Sequence, residues 1–434
     1  MKAFIENRFG LLTLVVVALA AMYGIAYVTR PAPLPPPPTG PTKVAVESVT
    51  TVCPGDKGRR VDVYLPGELS SETMEKDAPY VTHGPGGLEA GYVTRATSGS
   101  ARGLAGVRCT EPAPSTWLLG PGPADADVRL HLTNADKAPA MVDVQVYAAE
   151  GLVSGDAGIG LEIGPGKHRE IDLKTLAPSA DIMAVSVTTS FGRVAVAART
   201  VLESGGVDWL PAAGAPATRV VVPGIPKGGG LRRLLVAAPG ETDATVQIKA
   251  VSEDAEYAMK GRETLDVPAG SVTALDITTG VAGSSAALVL TSPVPIVAGA
   301  VSIGTGSKPD VAYTAGTPSL ALGSAVARNT TGARLLLTAL GGPGKVRVQI
   351  IPAKGAAGEP YEVAVPAGRT RDVRLKAKGD FAVAVTPVSG EVYGARLLEE
   401  RRRDGVMLTT QPLAPARTWT LLPPLKDTPR VVLP

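Results

Sequence analysis

The hydrophobic pattern of this chain has two regimes. Leu11 to Val28 is a run of eighteen residues without a charge, flanked by Lys2 and Arg8 before it and Arg30 after it. That length and those flanks predict a membrane-spanning helix at 11–28 with residues 1–10 on the cytoplasmic side. The competing reading is a cleaved signal peptide, whose apolar region runs about 7–15 residues before a small-x-small site. Here the run ends Ala26-Tyr27-Val28-Thr29-Arg30-Pro31, with Tyr23 and Tyr27 placed as an interfacial belt, so an uncleaved anchor is the reading adopted. Residues 29–43 contain PAPLPPPPTGP (Pro31 to Pro41), which neither helix nor sheet accommodates and which predicts a stiff, extended spacer.

Beyond the spacer the helical period disappears and alternation takes over. Val128-Arg129-Leu130-His131-Leu132 and Val142-Asp143-Val144-Gln145-Val146-Tyr147 place apolar side chains on every second position, as half-buried strands do. The alternation is itself repeated. IGPGKHREIDL (Ile163 to Leu173) matches VPAGSVTALDI (Val267 to Ile277) and VPAGRTRDVRL (Val365 to Leu375), and each is followed by a pair of apolar strands. The spacing of Gly166, Gly270 and Gly368 gives periods of 104 and 98 residues, the size of a whole sandwich domain.

Short boundary segments recur with the same form, a short strand, a Pro/Ala linker and another short strand: Val107 to Gly122, Val207 to Gly224, Val311 to Ser324 and Val406 to Pro424. They divide the chain into a divergent unit at 44–116 and three copies at 117–218, 219–324 and 325–434, the last with a C-terminal tail. Within the first unit, Glu68 to Gly106 is polar, Gly/Ser-rich and poor in strand pattern. About seven strands per copy predict an all-β protein of tandem immunoglobulin-like β-sandwiches, arranged as a rod behind the membrane helix.

Composition changes this picture in two ways. Only 4% of residues are aromatic, so the cores must pack with Val, Ala, Leu and Ile, which suits sheets about 10 Å apart. The net charge of +3 is spread over both signs with no basic surface interleaved with aromatics, which argues against nucleic acid as a partner.

Candidate chemistry is sparse. Cys53 and Cys109 are the two cysteines, and on the outer side of a membrane they are expected to pair, closing a loop in the first unit. His83 sits in what reads as a loop, whereas His131 and His168 occupy outward positions of alternating strands. Ser302 lies in a sequence close to a nucleophile elbow but lacks its first glycine and a following helix. Gly341 to Lys345 resembles a phosphate loop with Val346 where Ser or Thr should hold Mg²⁺. Asp125 and Asp127 lack the α/β surroundings of a sugar-nucleotide enzyme. Glu399 to Asp404 reads as a solvated hairpin tip or, more sharply, a docking surface for an anionic polymer. Trp117, Trp209 and Trp419 all fall in boundary segments, either as rings buried between units or as exposed partner-stacking residues. No catalytic residue, metal ligand or cofactor site emerges.

With its anchor, its Pro-rich spacer, the Cys53-Pro54 start, Leu132-Thr133-Asn134 and Gly192-Arg193-Val194, the chain resembles an uncharacterised family of membrane-anchored proteins from high-GC actinobacteria. That resemblance implies an envelope location and brings no activity. The expectation is a non-catalytic, single-pass envelope protein whose β domains bind or brace polysaccharide or another envelope protein outside the membrane. The alternative is an accessory protein or enzyme of envelope glycan metabolism.

Overall fold

The structure is a computed structural model that describes residues 2–30, 42–56 and 58–423; the expected proline spacer at 31–41 lies outside the described residues. Two units are distinct, residues 45–420 on the one hand and 1–44 with 421–434 on the other. The terminal unit contains a helix at Lys2–Val28, within which Phe9–Val28 has a mean hydropathy of 2.3. At 1.5 Å per residue those 20 residues span about 30 Å, long and apolar enough to cross a bilayer.

The large unit is all-β. Its backbone makes four four-stranded antiparallel sheets, called blades here, each with one strand turned to a common axis. The second blade runs, outside to inside, His168–Asp172, Ala126–Thr133, Ala195–Leu202, Val207–Leu210. The first runs Glu68–Thr73, Arg60–Leu65, Glu89–Ala96, Gly103–Arg108. The third and fourth repeat this order and end on Val311–Ala315 and Gly405–Pro412. Each of the four inner strands packs beside the next, and the fourth packs beside the first, so the ring closes.

A second set of sheets fills the spaces between blades. Ser115–Pro121, Ile182–Phe191 and Ala140–Ala148 form the sheet between blades 2 and 3. One of its faces closes the sandwich of its own unit, with Val144, Val185 and Val187 against Leu130 and Leu132. The other face, with Trp117, Leu119 and Tyr147, packs on Leu235, Ala237 and Val272 of blade 3. The same double contact recurs where Val221 and Val251 meet Leu340 and Tyr393, and where Ala325, Ala327 and Ile351 meet Tyr64. Sheets buried on both faces cannot alternate apolar with polar residues. This is why Ile182–Phe191 reads MAVSV and why small side chains dominate.

The architecture is therefore propeller-like, and the expected row of independent sandwiches is replaced by closure of the units on one another. The pairing also departs from an immunoglobulin fold, which keeps its last two strands in one sheet. Here Ile182–Phe191 lies in the intercalated sheet and Ala195–Leu202 in the blade. In the later units the two are one continuous strand, Ala286–Ile303 and Phe381–Arg402, which passes from one sheet to the other. Pro293, Pro295 and Pro387 fall near the crossings, where ladder hydrogen bonds are interrupted.

The first unit keeps this order with fewer strands. Its intercalated sheet is only Val49–Cys53 paired with Tyr80–Gly84. The stretch from Glu68 to Gly106, expected to be poor in strands, contributes to four of them; alternate small and polar residues conceal a sheet that faces other sheets. Cys53 and Cys109 are bonded, with Cα atoms 4.3 Å apart, tying this small sheet to the end of the first inner strand.

Ion pairs mark the seam where the last unit meets the first. The buried Asp62 carboxylate accepts from Arg328 at 2.8 Å, Arg328 also reaches Asp380 at 2.7 Å, and Arg95 holds Glu400 through two bonds of 2.6 and 2.7 Å. The Glu399 to Asp404 tip is thus tied down at Glu400 and, through Arg102, at Asp404. At the seam between blades 1 and 2, Trp209 is 7% exposed, edge-on to Tyr92 at 6.4 Å and against His131 at 5.4 Å. Trp209→Ala should therefore cost about 3–5 kcal/mol, read as a loss of unfolding free energy in denaturant titration of the full chain. An unchanged midpoint would contradict this packing.

Candidate functional site

The four inner strands present N–H groups toward the axis that no neighbouring strand can pair. Backbone N–H groups on alternate residues of a strand point the same way, and buried ones need acceptors. Two carboxylates supply them. Asp310, at the entry to the third inner strand, accepts from Leu104 N at 2.8 Å, Leu408 N at 3.0 Å and Val207 N at 3.1 Å, so one side chain bonds the other three inner strands. Asp208, on the second inner strand, accepts from Gly106 N at 2.9 Å and Thr409 Oγ1 at 3.0 Å. Burial pushes the Asp310 carboxyl up to about 6, against the pull of those amides, and holds Asp208 well above the usual carboxylate range.

Beside Asp208 lies Arg396, which is fully buried. Its Nη2 donates to Gln411 Oε1 at 2.9 Å, while Nε and Nη1 have no protein partner, nor does Asp208 Oδ2. Burial lowers the guanidinium to about 10, and the nearby Asp208 charge opposes that shift. A side chain at position 106 would collide with this group, since a Cβ there would lie 2.7 Å from Thr409 Oγ1 and 3.2 Å from Arg396 Nη2. Glycine is required by the close approach.

Above this plug the inner strands end, and the Pro/Ala linkers that follow them gather around one cavity of about 290 Å³. Every unit contributes: Glu89, Arg108 and Glu111 from the first, Trp209 and Pro211 from the second, Thr317 from the third, Gln411 and Arg417 from the fourth. Glu89 is 3% exposed and doubly bonded to Arg108, with Nε to Oε2 at 2.9 Å. Glu111 pairs with Arg417 at 3.1 Å. Burial raises both carboxyls, and in each case the paired arginine pulls the other way. The hydroxyls of Thr51, Thr317 and Thr410, all on residues of the cavity wall, have no protein partner.

The residues singled out in the sequence fare differently. Cys109 and Trp209 line this cavity. Trp117 is buried against Tyr147, with ring centroids 5.4 Å apart, at the seam between blades 2 and 3. Trp419 departs from the buried-boundary reading, being 42% exposed. His83 belongs to the strand Tyr80–Gly84, not a loop, and bonds Thr50 at 2.8 Å, because its edge strand needs the partner Val49–Cys53. His131 is half-buried under Trp209, not an ordinary surface residue, and desolvation lowers its pKa. His168 is exposed at the outer edge of blade 2. Ser302 is buried near the end of the strand Ala286–Ile303, and Asp127 pairs with Arg129 at 2.8 Å. Among the described residues no group of three His, Cys, Asp or Glu could hold a metal.

The axial residues Asp208, Asp310, Arg396, Glu89 and Glu111 escaped the sequence reading. A signal existed: Val-Asp-Trp-Leu and Pro-Asp-Val-Ala-Tyr set an aspartate at the head of otherwise apolar boundary strands.

A ring of intercalated sheets closed on polar axial side chains defines a propeller-like class of all-β protein. The model of a family of unknown function (DUF5719) matches residues 70–376, and the chain belongs to that family. No curated protein matches. Among solved structures, an anti-sigma factor domain-containing protein from Clostridium clariflavum aligns at 9% identity over 83% of this chain and 100% of its own, with a TM-score of 0.14. An α-L-rhamnosidase from Streptomyces avermitilis, solved with L-rhamnose, aligns at 13% identity over 91% of this chain and 55% of its own, with a TM-score of 0.13. Likenesses this low carry no argument about fold or function.

The axial carboxylate makes a signed prediction. Between the unfolded value near 3.8 and about 6, folded Asp310 keeps a proton that the unfolded chain has lost. Stability contributed by this group therefore falls as pH rises from about 4 to about 6, by about 3 kcal/mol. Asp310→Ala should destabilise throughout, because each orphaned amide costs about 1–3 kcal/mol. The difference in unfolding free energy between wild type and variant should narrow over that pH window; a widening difference would reverse the sign assigned to Asp310.

Proposed function

We propose that this protein is a non-catalytic binding module of the cell envelope, held by its N-terminal helix, with the β ring outside the membrane and the axial cavity as its ligand site. One observation carries this reading. Four linkers from four different units, which need only connect strands, converge to enclose one cavity holding Glu89, Arg108, Glu111 and Arg417. Propellers and related rings commonly use the axial mouth, where many short segments meet, for binding.

The apolar helix supports a tether, and the disulfide supports an oxidising compartment. Against catalysis, both carboxylates in the cavity are bonded to an arginine, whereas glycoside hydrolysis needs a carboxyl free to give a proton and a second free to attack or to activate water. The enzyme reading keeps one supporting observation, that Glu89 lies close enough to Glu111 for its charge to raise the Glu111 pKa.

The test has two arms in the protein's own cells. Intact mass and protease treatment of spheroplasts should show a chain that retains Leu11 to Val28 and is digested from outside. A deletion strain should be complemented by His83→Ala and Asp127→Ala but not by Glu89→Gln combined with Arg108→Met, whose fold is checked by circular dichroism. A mature N-terminus between Tyr27 and Pro41 would remove the tether, and full complementation by the double variant would remove the cavity from the function.

A further inference from the structure

We infer that the axial cavity takes an uncharged, polyhydroxylated ligand one to two sugar rings in size, bound by its end; this rests on the cavity being the binding site. Size comes first. At about 290 Å³ the cavity equals the liquid volume of about ten waters and lies at the small end of ligand pockets. It is a cup rather than a tunnel, because Asp208, Asp310 and Arg396 fill the axis beneath it and are fully buried. A polymer cannot thread it; a chain terminus can enter.

Charge comes next. The two carboxylates and two guanidiniums of the wall cancel, and each is already engaged with its opposite. A charged ligand that displaced either partner of the buried Glu89–Arg108 pair would leave a desolvated charge behind, and one that spared it would add an unbalanced charge to a wall whose own charges cancel. A neutral ligand leaves both pairs intact. The pairs are nevertheless open to hydroxyls: a carboxylate oxygen has spare lone pairs and a guanidinium has five N–H groups, so a vicinal diol can donate to Glu and accept from Arg side by side.

The remaining wall has the same two-faced character. The hydroxyls of Thr51, Thr317 and Thr410 are each buried without a protein partner, and each can donate or accept by rotation of its hydrogen about the Cβ–Oγ1 bond. Trp209 and Pro211 supply apolar surface for the C–H face of a ring. Buried polar groups left unmatched cost free energy, so a ligand rich in hydroxyls gains where a purely apolar one does not.

The experiment uses the full-length protein in lipid nanodiscs and saturation-transfer NMR. The neutral probes are the methyl glycosides of glucose, galactose, mannose and arabinose; the charged ones are glucuronate, glucose 6-phosphate and glycine. At least one neutral glycoside should bind at millimolar concentration or tighter, and Thr410→Val and Arg417→Met should each weaken it about tenfold, the loss expected for one hydrogen bond. The wild-type circular dichroism and melting temperature of the exposed Arg417→Met variant serve as the control for folding.

Binding of a charged probe alone, weakened by the same substitutions, would overturn the ligand class and leave the cavity as the site. Neutral binding that neither substitution weakens would place the ligand elsewhere and overturn both readings. No binding by any neutral probe would overturn the class.

Discussion

The carboxylate of Asp310 is the point on which the ring depends. Each inner strand has one edge paired within its blade and one facing the axis, where the amides of Leu104, Gly106, Val207 and Leu408 are taken up by aspartate side chains. A fully buried aspartate accepting amides from three other strands satisfies groups that would otherwise be orphaned, and in doing so fixes the axial position of four units at once. Asp208 repeats the device one layer higher, with Gly106 and Thr409. The cost is two carboxyls held away from water, and the fold accepts it because strands from separate blades have no ladder to share.

From that axis outward, packing follows a single rule. Each unit's second sheet is shared between its own blade and the next, so closing the ring buries both faces of every intercalated sheet. The seams differ in chemistry. Trp117 with Tyr147 and Trp209 with Tyr92 are apolar, whereas the closing seam adds the ion pairs of Asp62, Arg328 and Glu400 to the apolar contact of Ala325, Ala327 and Ile351 with Tyr64. Because all four linkers lie at one end of the inner strands, closure also creates the cavity; the site is a consequence of the ring and belongs to no unit alone.

The sequence made the unit legible and left the assembly hidden. Period-2 alternation in Ala126–Thr133 and Ala244–Ser252 reproduces the burial seen in the structure, and the recurring Pro/Gly turns mark the repeat. Repetition of the boundary segments was also visible, as was the pairing of Cys53 with Cys109. Closure was not, because alternation reports which face of a strand is buried and not what buries it. A strand that packs on its own unit and on the next looks merely more apolar. The axial residues were hidden for a related reason: Asp208 and Asp310 sit at strand starts, where an aspartate ordinarily caps a turn in water, and only the meeting of four such starts makes them central. Weak strand pattern in the first unit misled because its small residues answer to close packing, as Gly106 does against Thr409 and Arg396.

The central claim is that the first and fourth units touch. Spin labels at Arg95→Cys and Glu400→Cys in the full chain, with the native disulfide intact, measure this by pulsed dipolar spectroscopy. The ring predicts labels within side-chain reach of each other, since these residues are directly bonded. Units standing in a row would separate them by two intervening domains of about 30 Å each. A distance of several tens of ångströms would contradict the closed ring and the cavity it encloses.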